Sequence, residues 1–403
     1  MKKIIGIWVL LAWAGLVQAA EVQWMRVSSP HLTVYTAGEP AQAREWLLKA
    51  EACRQFIAGL GPSDDRALAP LTVAVYRDEA HFQEYFTPPA DRTLVNRYTI
   101  SYRVGSRTMV CEGSWWAAIN SGQRSLAEPA FFIFVGQWAS QPFPRPLPEW
   151  LSRGLGELCV QAVAKGERFA FGGRFRPDLD VLNGKFLAPV AELLRPDLPS
   201  GDQPSAESWL LVHYLLWGDG GANRPALAKY VQAWESGCEW EEAAAKAFPA
   251  GLEDLRVRVQ RYLKQGKFEG EFVTLALPPT AIEVRPATEV ESEVLLSQMR
   301  IAAETPELVS DHLDHAWRLA PRSPDVLEAK AALARMQRQQ GEAEDYCRQA
   351  CAAGSTKVFP HSVRVLGLVQ PLAGADSAFE GVEPMKARQA ANAVRELLQL
   401  NPY

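Results

Sequence analysis

Two helix-forming segments joined by a proline-rich loop constrain the fold of this chain more than any other stretch. The first, from Phe131 to Ser140, is apolar, and the second is amphipathic from Pro148 to about Ala164. Proline is tolerated in the first turn of a helix but disrupts a helix interior, so the loop separates two distinct helices. The sequence therefore predicts a neighbouring helix pair here.

Strand and helix patterns alternate before this pair. Residues 22–36 alternate apolar and polar side chains as a half-buried strand does, and residues 41–60 form a helical pattern. One face of that helix carries Ala43, Trp46, Leu47, Ala50, Cys53, Phe56 and Ile57. A strand at LTVAVYR, a short helix from Asp78 and a hairpin turning at Gly105 and Ser106 follow. This order predicts an α+β fold with a mixed or antiparallel sheet.

Further short elements follow the pair. ERFAFGGRF predicts a hairpin, and EGEFVTLALPP predicts a strand. Between them lie four helical segments, ESWLLVHYLLWGD, RPALAKYVQAWESG, EWEEAAAKAF and LEDLRVRVQRYLKQG. Asp219 and Gly220 are expected to end the first of these helices.

The region from Glu289 to Tyr403 is helical and locally repetitive. Ala316 and Ala350 lie one 34-residue period apart, and the stretch between them predicts a helical hairpin turning at Gly341. Alanines at 331, 343 and 350 occupy positions where two helices approach closely. The region resembles tetratricopeptide repeats, which present a concave face to partners. An ordinary helical cap on the first domain is the alternative.

The first residues predict a secretory signal peptide. Lys2 and Lys3 precede an apolar run from Ile4 to Val17, and cleavage is expected after Ala19. No later segment has the roughly 20 apolar residues of a membrane-spanning helix. We therefore expect an exported protein, periplasmic or secreted, with no membrane span in the mature chain. Its expected parts are residues 20–278, a linker at 279–288 and a helical domain at 289–403.

The composition of the chain limits the classes of partner that it is expected to bind. The net charge is −5, no long basic run is present, and hydrophobic residues make up 48% of the chain. This balance argues for a globular protein that does not bind nucleic acid. Some of the six cysteines are expected to pair in an oxidising compartment, but their spacing assigns no connectivity.

The helix pair resembles the centre of a gluzincin zinc peptidase. In that family a helix with His-Glu-x-x-His precedes a loop and the segment Pro-x-Trp-Leu-x-Glu-Gly-x-Ala-Glu, which PEWLSRGLGE matches in outline. From about Val22 to Phe272 the order of segments is similar to the peptidase MA-like family of bacterial exported proteins, whose members often carry tetratricopeptide repeats. The resemblance implies a thermolysin-like (zincin) domain followed by an all-α repeat domain.

The resemblance also shows which zinc-binding residues are missing. A zinc hydrolase needs two imidazoles one helical turn apart and a glutamate base. The corresponding positions here hold approximately Val135, Gly136 and Ala139. Because no histidine lies between His81 and His213, no shift of register restores the motif. We expect neither metal nor cofactor.

Two residues of the second helix complete this set of vestigial positions. Arg153 stands where the resemblance places the zinc-binding glutamate, and Glu157 keeps the later acidic position. An arginine stays protonated, so it places a cation where the metal charge would be. The two residues are four apart, which predicts an intrahelical ion pair.

The remaining histidines and cysteines have structural interpretations. His81 is expected on a surface helix, His213 in the core, and His312 with His315 on a solvated face. Cys159 and His213 are a conceivable thiol–imidazole pair, but no feature marks Cys159 as activated.

The sequence therefore predicts a non-catalytic pseudopeptidase that binds a protein or peptide through its cleft and helical repeats. Active zincins hold extended peptides along an edge strand, so Tyr98, Ile100 and Tyr102 are the candidate peptide-binding edge. One alternative is a hydrolase with unorthodox residues or a metal supplied by a partner. Another gives the whole function to the repeats, with the first domain as support.

Overall fold

The computed structural model of the chain describes most of its length. The described residues are 23–60, 71–77, 98–103, 106–111, 145–166, 168–173, 176–196, 205–277, 281–302, 309–355, 357, 359–365 and 384–400. They form a mixed α+β structure in which helices predominate, as the sequence predicts at this coarse level. The predicted leader, the helix from Asp78 and the apolar helix at 131–140 lie outside the described residues.

The larger sheet has six strands in the order β4-β5-β3-β2-β1-β9. The strands are β1 (Met25–Ser28), β2 (Leu32–Thr36), β3 (Leu71–Val75), β4 (Tyr98–Arg103), β5 (Ser106–Cys111) and β9 (Glu283–Pro286). β3 is parallel to both β2 and β5, and the other pairs are antiparallel, so the sheet is mixed. β4 and β5 form the predicted hairpin, with Tyr98 opposite Cys111.

The predicted strand at 22–36 is two antiparallel strands, β1 and β2. The turn between them is closed by the backbone N–H of Ser29, which donates to the Leu32 carbonyl at 2.9 Å. Pro30 lies in this turn and has no backbone N–H to give to a ladder. Val27 of β1 and Leu32 and Val34 of β2 face the same core, so the buried positions change from odd to even numbers across this turn, and a single strand through residues 22–36 could not place all three there.

Helix α1 (Pro40–Ala58) covers one face of this sheet. All seven residues of its predicted apolar face are buried. They share one core with Leu32 and Val34 of β2 and with Val73 and Val75 of β3. Proline at the first position fits the helix start, because the first turn has backbone donors without intrahelical partners.

Helix α9 (Glu289–Ala302) covers the opposite face. Its Leu295, Leu296 and Met299 share a core with Trp24 and Tyr76 of the sheet region. The Tyr76 hydroxyl lies 2.8 Å from the Met299 sulfur. β9 lies within the predicted linker at 279–288 and pairs with β1 before the chain turns into α9.

A second sheet has three strands, β6 (Val163–Lys165), β7 (Arg168–Phe171) and β8 (Glu271–Thr274), in that order. The predicted helix end near Ala164 is wrong, because helix α2 (Glu149–Val160) ends earlier and Ala164 lies in β6. The hairpin predicted within ERFAFGGRF is wrong, because β7 pairs on one side with β6, across a turn at Gly166, and on its other side with β8. Gly166 has a φ of +66°, which glycine adopts without steric cost.

The remaining helices of the first region are α3 (Arg176–Leu182), α4 (Val190–Leu194), α5 (Ser205–Trp217), α6 (Arg224–Glu235), α7 (Trp240–Ala247) and α8 (Leu252–Gln265). The four helical segments predicted from the sequence correspond to α5 to α8. Asp219, with a φ of +51°, and Gly220 follow the end of α5 as predicted.

The C-terminal helices form an array with α9. They are α10 (Ser310–Leu319), α11 (Pro324–Met336), α12 (Gln340–Ala352) and α13 (Pro384–Leu400), and residues 359–365 are also helical. The alanines at 331, 343 and 350, predicted where helices approach closely, are fully buried, and so is Ala316. The turn between α11 and α12 centres on Arg338 (φ +61°), whereas the predicted turn residue Gly341 lies inside α12.

No helix among the described residues is both long and apolar enough to cross a bilayer.

Candidate functional site

Helix α2 carries two of the five vestigial positions. Arg153 donates from Nη2 to Glu149 Oε1 at 2.8 Å and from Nε to the same oxygen at 3.2 Å. Its side chain is 12% exposed, against 38% for Glu149. The arginine therefore has a counter-charge one turn before it, while the predicted pair with Glu157 stays a prediction. Glu157 itself is buried.

At Gly154, helix α2 lies in close contact with α5. A Cβ atom added at Gly154 would lie 2.6 Å from the Ser208 carbonyl oxygen and 2.5 Å from a methyl carbon of Val212. Only a residue without a side chain fits between these helices. Leu155, Leu158 and the neighbouring apolar residues of α2 are buried in the main core. This side of α2 serves packing and leaves no space for a ligand.

The other three vestigial positions, Val135, Gly136 and Ala139, lie outside the described residues. Their geometry relative to Arg153 and Glu157 stays a prediction. Within the described ranges, no group of three or more histidine, cysteine, aspartate or glutamate side chains is arranged to hold a metal ion.

The candidate peptide-binding edge falls on a strand at the end of a sheet. Tyr98, Ile100 and Tyr102 are alternate residues of β4 and so occupy one face of it. β4 pairs with β5 on one side, and no described strand pairs with its other side. An edge of this kind offers a row of backbone N–H and C=O groups to an added strand.

His213 is a core histidine, as predicted. It is fully buried on α5, its Nε2–H donates to the Gly172 carbonyl at 2.6 Å, and its Nδ1 accepts from the Tyr262 hydroxyl at 2.9 Å. Burial lowers the pKa of His213 to about 4, although the bond to Gly172 favours the protonated form. Both ring nitrogens are satisfied in the neutral state, so the residue is structural.

Cys159 does not have the environment of a nucleophile. The thiol is fully buried, and burial raises its pKa well above the ordinary value. A raised pKa keeps the sulfur protonated and unreactive. Its titrating neighbours are Cys53 and Lys49, with no contribution from His213. The thiol–imidazole alternative thus has no support in the geometry.

His312 and His315 do more than line a solvated face. His312 Nδ1 lies 2.8 Å from Glu293 Oε2, and His315 Nε2 lies 2.9 Å from Glu289 Oε1. Both glutamates belong to α9, whereas both histidines belong to α10. The spacing of three residues is therefore explained by two contacts across the helix pair, which the sequence interpretation did not anticipate.

Sequence reasoning missed one polar cluster beneath the β1–β2 turn. The carboxylate of Glu51, on α1, is fully buried and accepts hydrogen bonds from Ser29, from His31 Nδ1 at 3.1 Å and from Arg54 Nε at 2.8 Å. Burial alone would raise the pKa of Glu51, but the bonds from His31, Ser29 and Arg54 outweigh it and hold the pKa at about 2. The signal in the sequence was a glutamate between Ala50 and Ala52, next to the apolar face of α1.

Glu51 has all of its described partners within the turn and the helix. The carboxylate is paired with a cation and a hydroxyl, which compensates the cost of burying its charge. The cluster fixes the β1–β2 turn on α1, and its arrangement fits a structural role better than a catalytic one.

Scans of the chain against models of protein families and against curated protein sequences found no match.

Proposed function

We propose that this chain is an exported, non-catalytic peptidase-like protein that binds an extended peptide or protein segment along β4. Its helical array, proposed to be of the tetratricopeptide type, supplies a second binding surface. The observation that carries the proposal is the position of β4 at the end of the six-stranded sheet, with its outer backbone edge unpaired among the described strands.

The sequences of the edge strands favour β4 over the others. Proteins protect exposed edges with short strands, charges and prolines. β9 reads Glu-Val-Arg-Pro, β6 has three residues and ends in lysine, and β8 has four residues and begins with glutamate. β4 has six residues, Tyr-Thr-Ile-Ser-Tyr-Arg, with no proline and one terminal charge. It is the described edge best suited to accept another strand.

Arg153 supports the non-catalytic part of the proposal. A guanidinium has no lone pair for a metal at any ordinary pH, and here it is engaged by Glu149. The chain therefore has a cation, with its own carboxylate partner, at the position where a related peptidase would place a zinc ligand.

Proline substitution tests the docking edge. In an antiparallel hairpin, adjacent residues direct their N–H groups to opposite sides. Of Ile100→Pro and Ser101→Pro, one removes a bond to β5, while the other removes an outward N–H that a docked peptide would use. We expect the outward variant to keep the native circular dichroism but to lose binding to an immobilised peptide library. Val284→Pro, in β9, is the matched control and should bind normally. Unchanged binding by both β4 variants would refute the docking edge.

Metal analysis and turnover test the non-catalytic part. Stoichiometric zinc in the purified mature protein, together with metal-dependent cleavage of a peptide library, would overturn it in favour of a hydrolase. If neither is found, the combined variant Val135→His, Gly136→Glu, Ala139→His and Arg153→Glu tests the zincin geometry. Recovery of zinc by this variant would support that fold.

The helical array needs a test that leaves it in place. Deleting residues 289–403 would remove α9 and uncover Trp24 and Tyr76, so loss of binding would be uninformative. Charge reversal at exposed positions of α12, Glu342→Lys and Arg348→Glu, changes the array surface without touching the sheet. Loss of binding in these variants alone would assign partner capture to the array.

A further inference from the structure

Cys53 of α1 and Cys159 of α2 meet inside the main core. Both side chains are fully buried. Cys53 Sγ lies 3.6 Å from the backbone carbonyl oxygen of Cys159, so it is within one side chain's reach of the second sulfur. The Cys53 thiol adds to the effect of burial in raising the pKa of Cys159, which is a second sign of their proximity.

We propose that Cys53 and Cys159 form a disulfide that ties α1 to α2 when the chain folds in the presence of an external disulfide. Oxidised glutathione or the disulfide of a thiol oxidoreductase is the oxidant. The link would join the helix that covers the large sheet to the helix that carries Arg153. No other described pair of fully buried cysteines on separate elements lies in contact.

The reaction is two successive thiol–disulfide exchanges. One cysteine thiolate attacks the external disulfide, which forms a mixed disulfide and releases one external thiolate. The second cysteine thiolate then attacks the protein sulfur of that mixed disulfide and expels the other external thiolate. The protein loses two electrons and two protons, and the external disulfide is reduced to two thiols.

Burial decides when this exchange takes place. Exchange requires a thiolate, and a thiol in the closed core is neither ionised nor reachable by an oxidant. The link therefore forms while α1 and α2 are still exposed during folding. Once enclosed, the disulfide is protected from external reductants in the same way.

Peptide mapping of the full chain tests the proposal. The chain is reduced, unfolded, refolded in a mixture of reduced and oxidised glutathione, alkylated in denaturant and digested without reductant. We expect a peptide pair linked through Cys53 and Cys159, which Cys347→Ala retains and which Cys53→Ala lacks. Alkylation of both residues, or their linkage to other cysteines, in a refolded chain with cooperative unfolding would overturn it.

Thermal unfolding gives a second readout that does not depend on the folding of the alanine variants. A cross-link between residues so far apart in sequence restricts the unfolded chain strongly. The parent chain refolded with oxidised glutathione should have a Tm about 5 °C or more above that of the parent chain refolded in dithiothreitol. Unfolding the oxidised chain in dithiothreitol and refolding it in that reductant should bring its Tm down to the lower value. An equal Tm for the oxidised and reduced parent chains would contradict the link.

Discussion

The contact between α2 and α5 and the contacts within the helical array hold helices together by different means. At the first contact, Gly154 lets the backbones approach, and large side chains such as Trp150 and Trp209 fill the core around it. In the array, buried alanines set the helix spacing, while charged side chains connect adjacent helices at the margin. Close packing tolerates no added volume, whereas marginal ion pairs tolerate substitution. The α2–α5 layer should therefore lose much stability when a side chain is enlarged, whereas the array should lose less when a charge is removed.

Gly154→Val tests the first half of this comparison and should have the largest effect. The added atoms would overlap the Ser208 carbonyl and Val212, so the free energy of unfolding should fall by about 4 kcal/mol. Gly341→Val is the matched control, because it lies in α12 with open space around its Cβ position, and it should change stability by less than about 1 kcal/mol. Urea unfolding measures both, and equal effects would remove the contrast.

The pH dependence of unfolding tests the aromatic core around His213. The pKa of His213 is about 4 in the folded state and 6.5 for an unperturbed histidine, so the unfolded chain binds a proton between these values that the native state does not. Stability is therefore full above pH 6.5 and falls as the pH drops to 4, by about 3 kcal/mol at most. His213→Gln should lose this part of the pH dependence.

Glu51 provides the internal comparison for that measurement. Its pKa is lowered from 4.5 to about 2, so its contribution is full above pH 4.5 and is lost as the pH falls toward 2. The pH range in which His213 reduces stability ends near pH 4, and the range in which Glu51 does so begins there. If the slope between pH 6.5 and 4 survives in His213→Gln, that slope comes from other groups.

The ion pair between Glu328, on α11, and Lys357 shows how strongly the array depends on a buried charge. Glu328 is 5% exposed and is bound by Lys357 Nζ at 2.8 Å and by the Ser355 hydroxyl. Lys357→Met leaves the carboxylate without its cation and should cost about 2 kcal/mol, given that Lys357 keeps some contact with solvent. The double variant with Glu328→Gln should recover part of that loss. A double variant whose loss equals the sum of the single losses would show that the pair does not interact.

The histidine pairs between α9 and α10 should show the smallest effect. His315→Ala removes an exposed pair with Glu289 and should cost less than about 1 kcal/mol. His312→Ala should cost more, because Glu293 is less exposed than Glu289. Chemical denaturation with urea separates the two, and the reverse order would mean that burial does not set the strength of these pairs.

The periodicity of apolar residues predicted the helices and strands that bury one of their faces. The apolar face of α1, the strands at β3 and β8, helices α5 to α8 and the buried alanines of the array follow from it. The failures are local. The turn at Ser29 to His31 shifts the core-facing positions by one residue, from Val27 to Leu32 and Val34, within a stretch predicted as one strand. The turn at Arg338 uses a left-handed residue that is neither glycine nor asparagine.

The candidate site was predictable only in part, for a different reason. The sequence places Arg153 on α2. Helical spacing alone, however, does not decide whether its ion-pair partner lies four residues before it or four residues after it. The structure provides Glu149 as one such partner. The contacts of Glu51 and of the paired histidines join elements distant in sequence, and no local pattern encodes them.

The pairing of β1 with β9 has a consequence for how the chain folds. Arg26 and Glu283, which are joined by an ion pair across these strands, are 257 residues apart. Synthesis delivers β9 and α9 late, so the first strand stays without one of its neighbours until most of the chain has emerged. Contacts between such distant residues slow folding. A chain that completes its sheet last would remain open, and hence exposed to aggregation and to proteases, for longer than one that closes from its N-terminus.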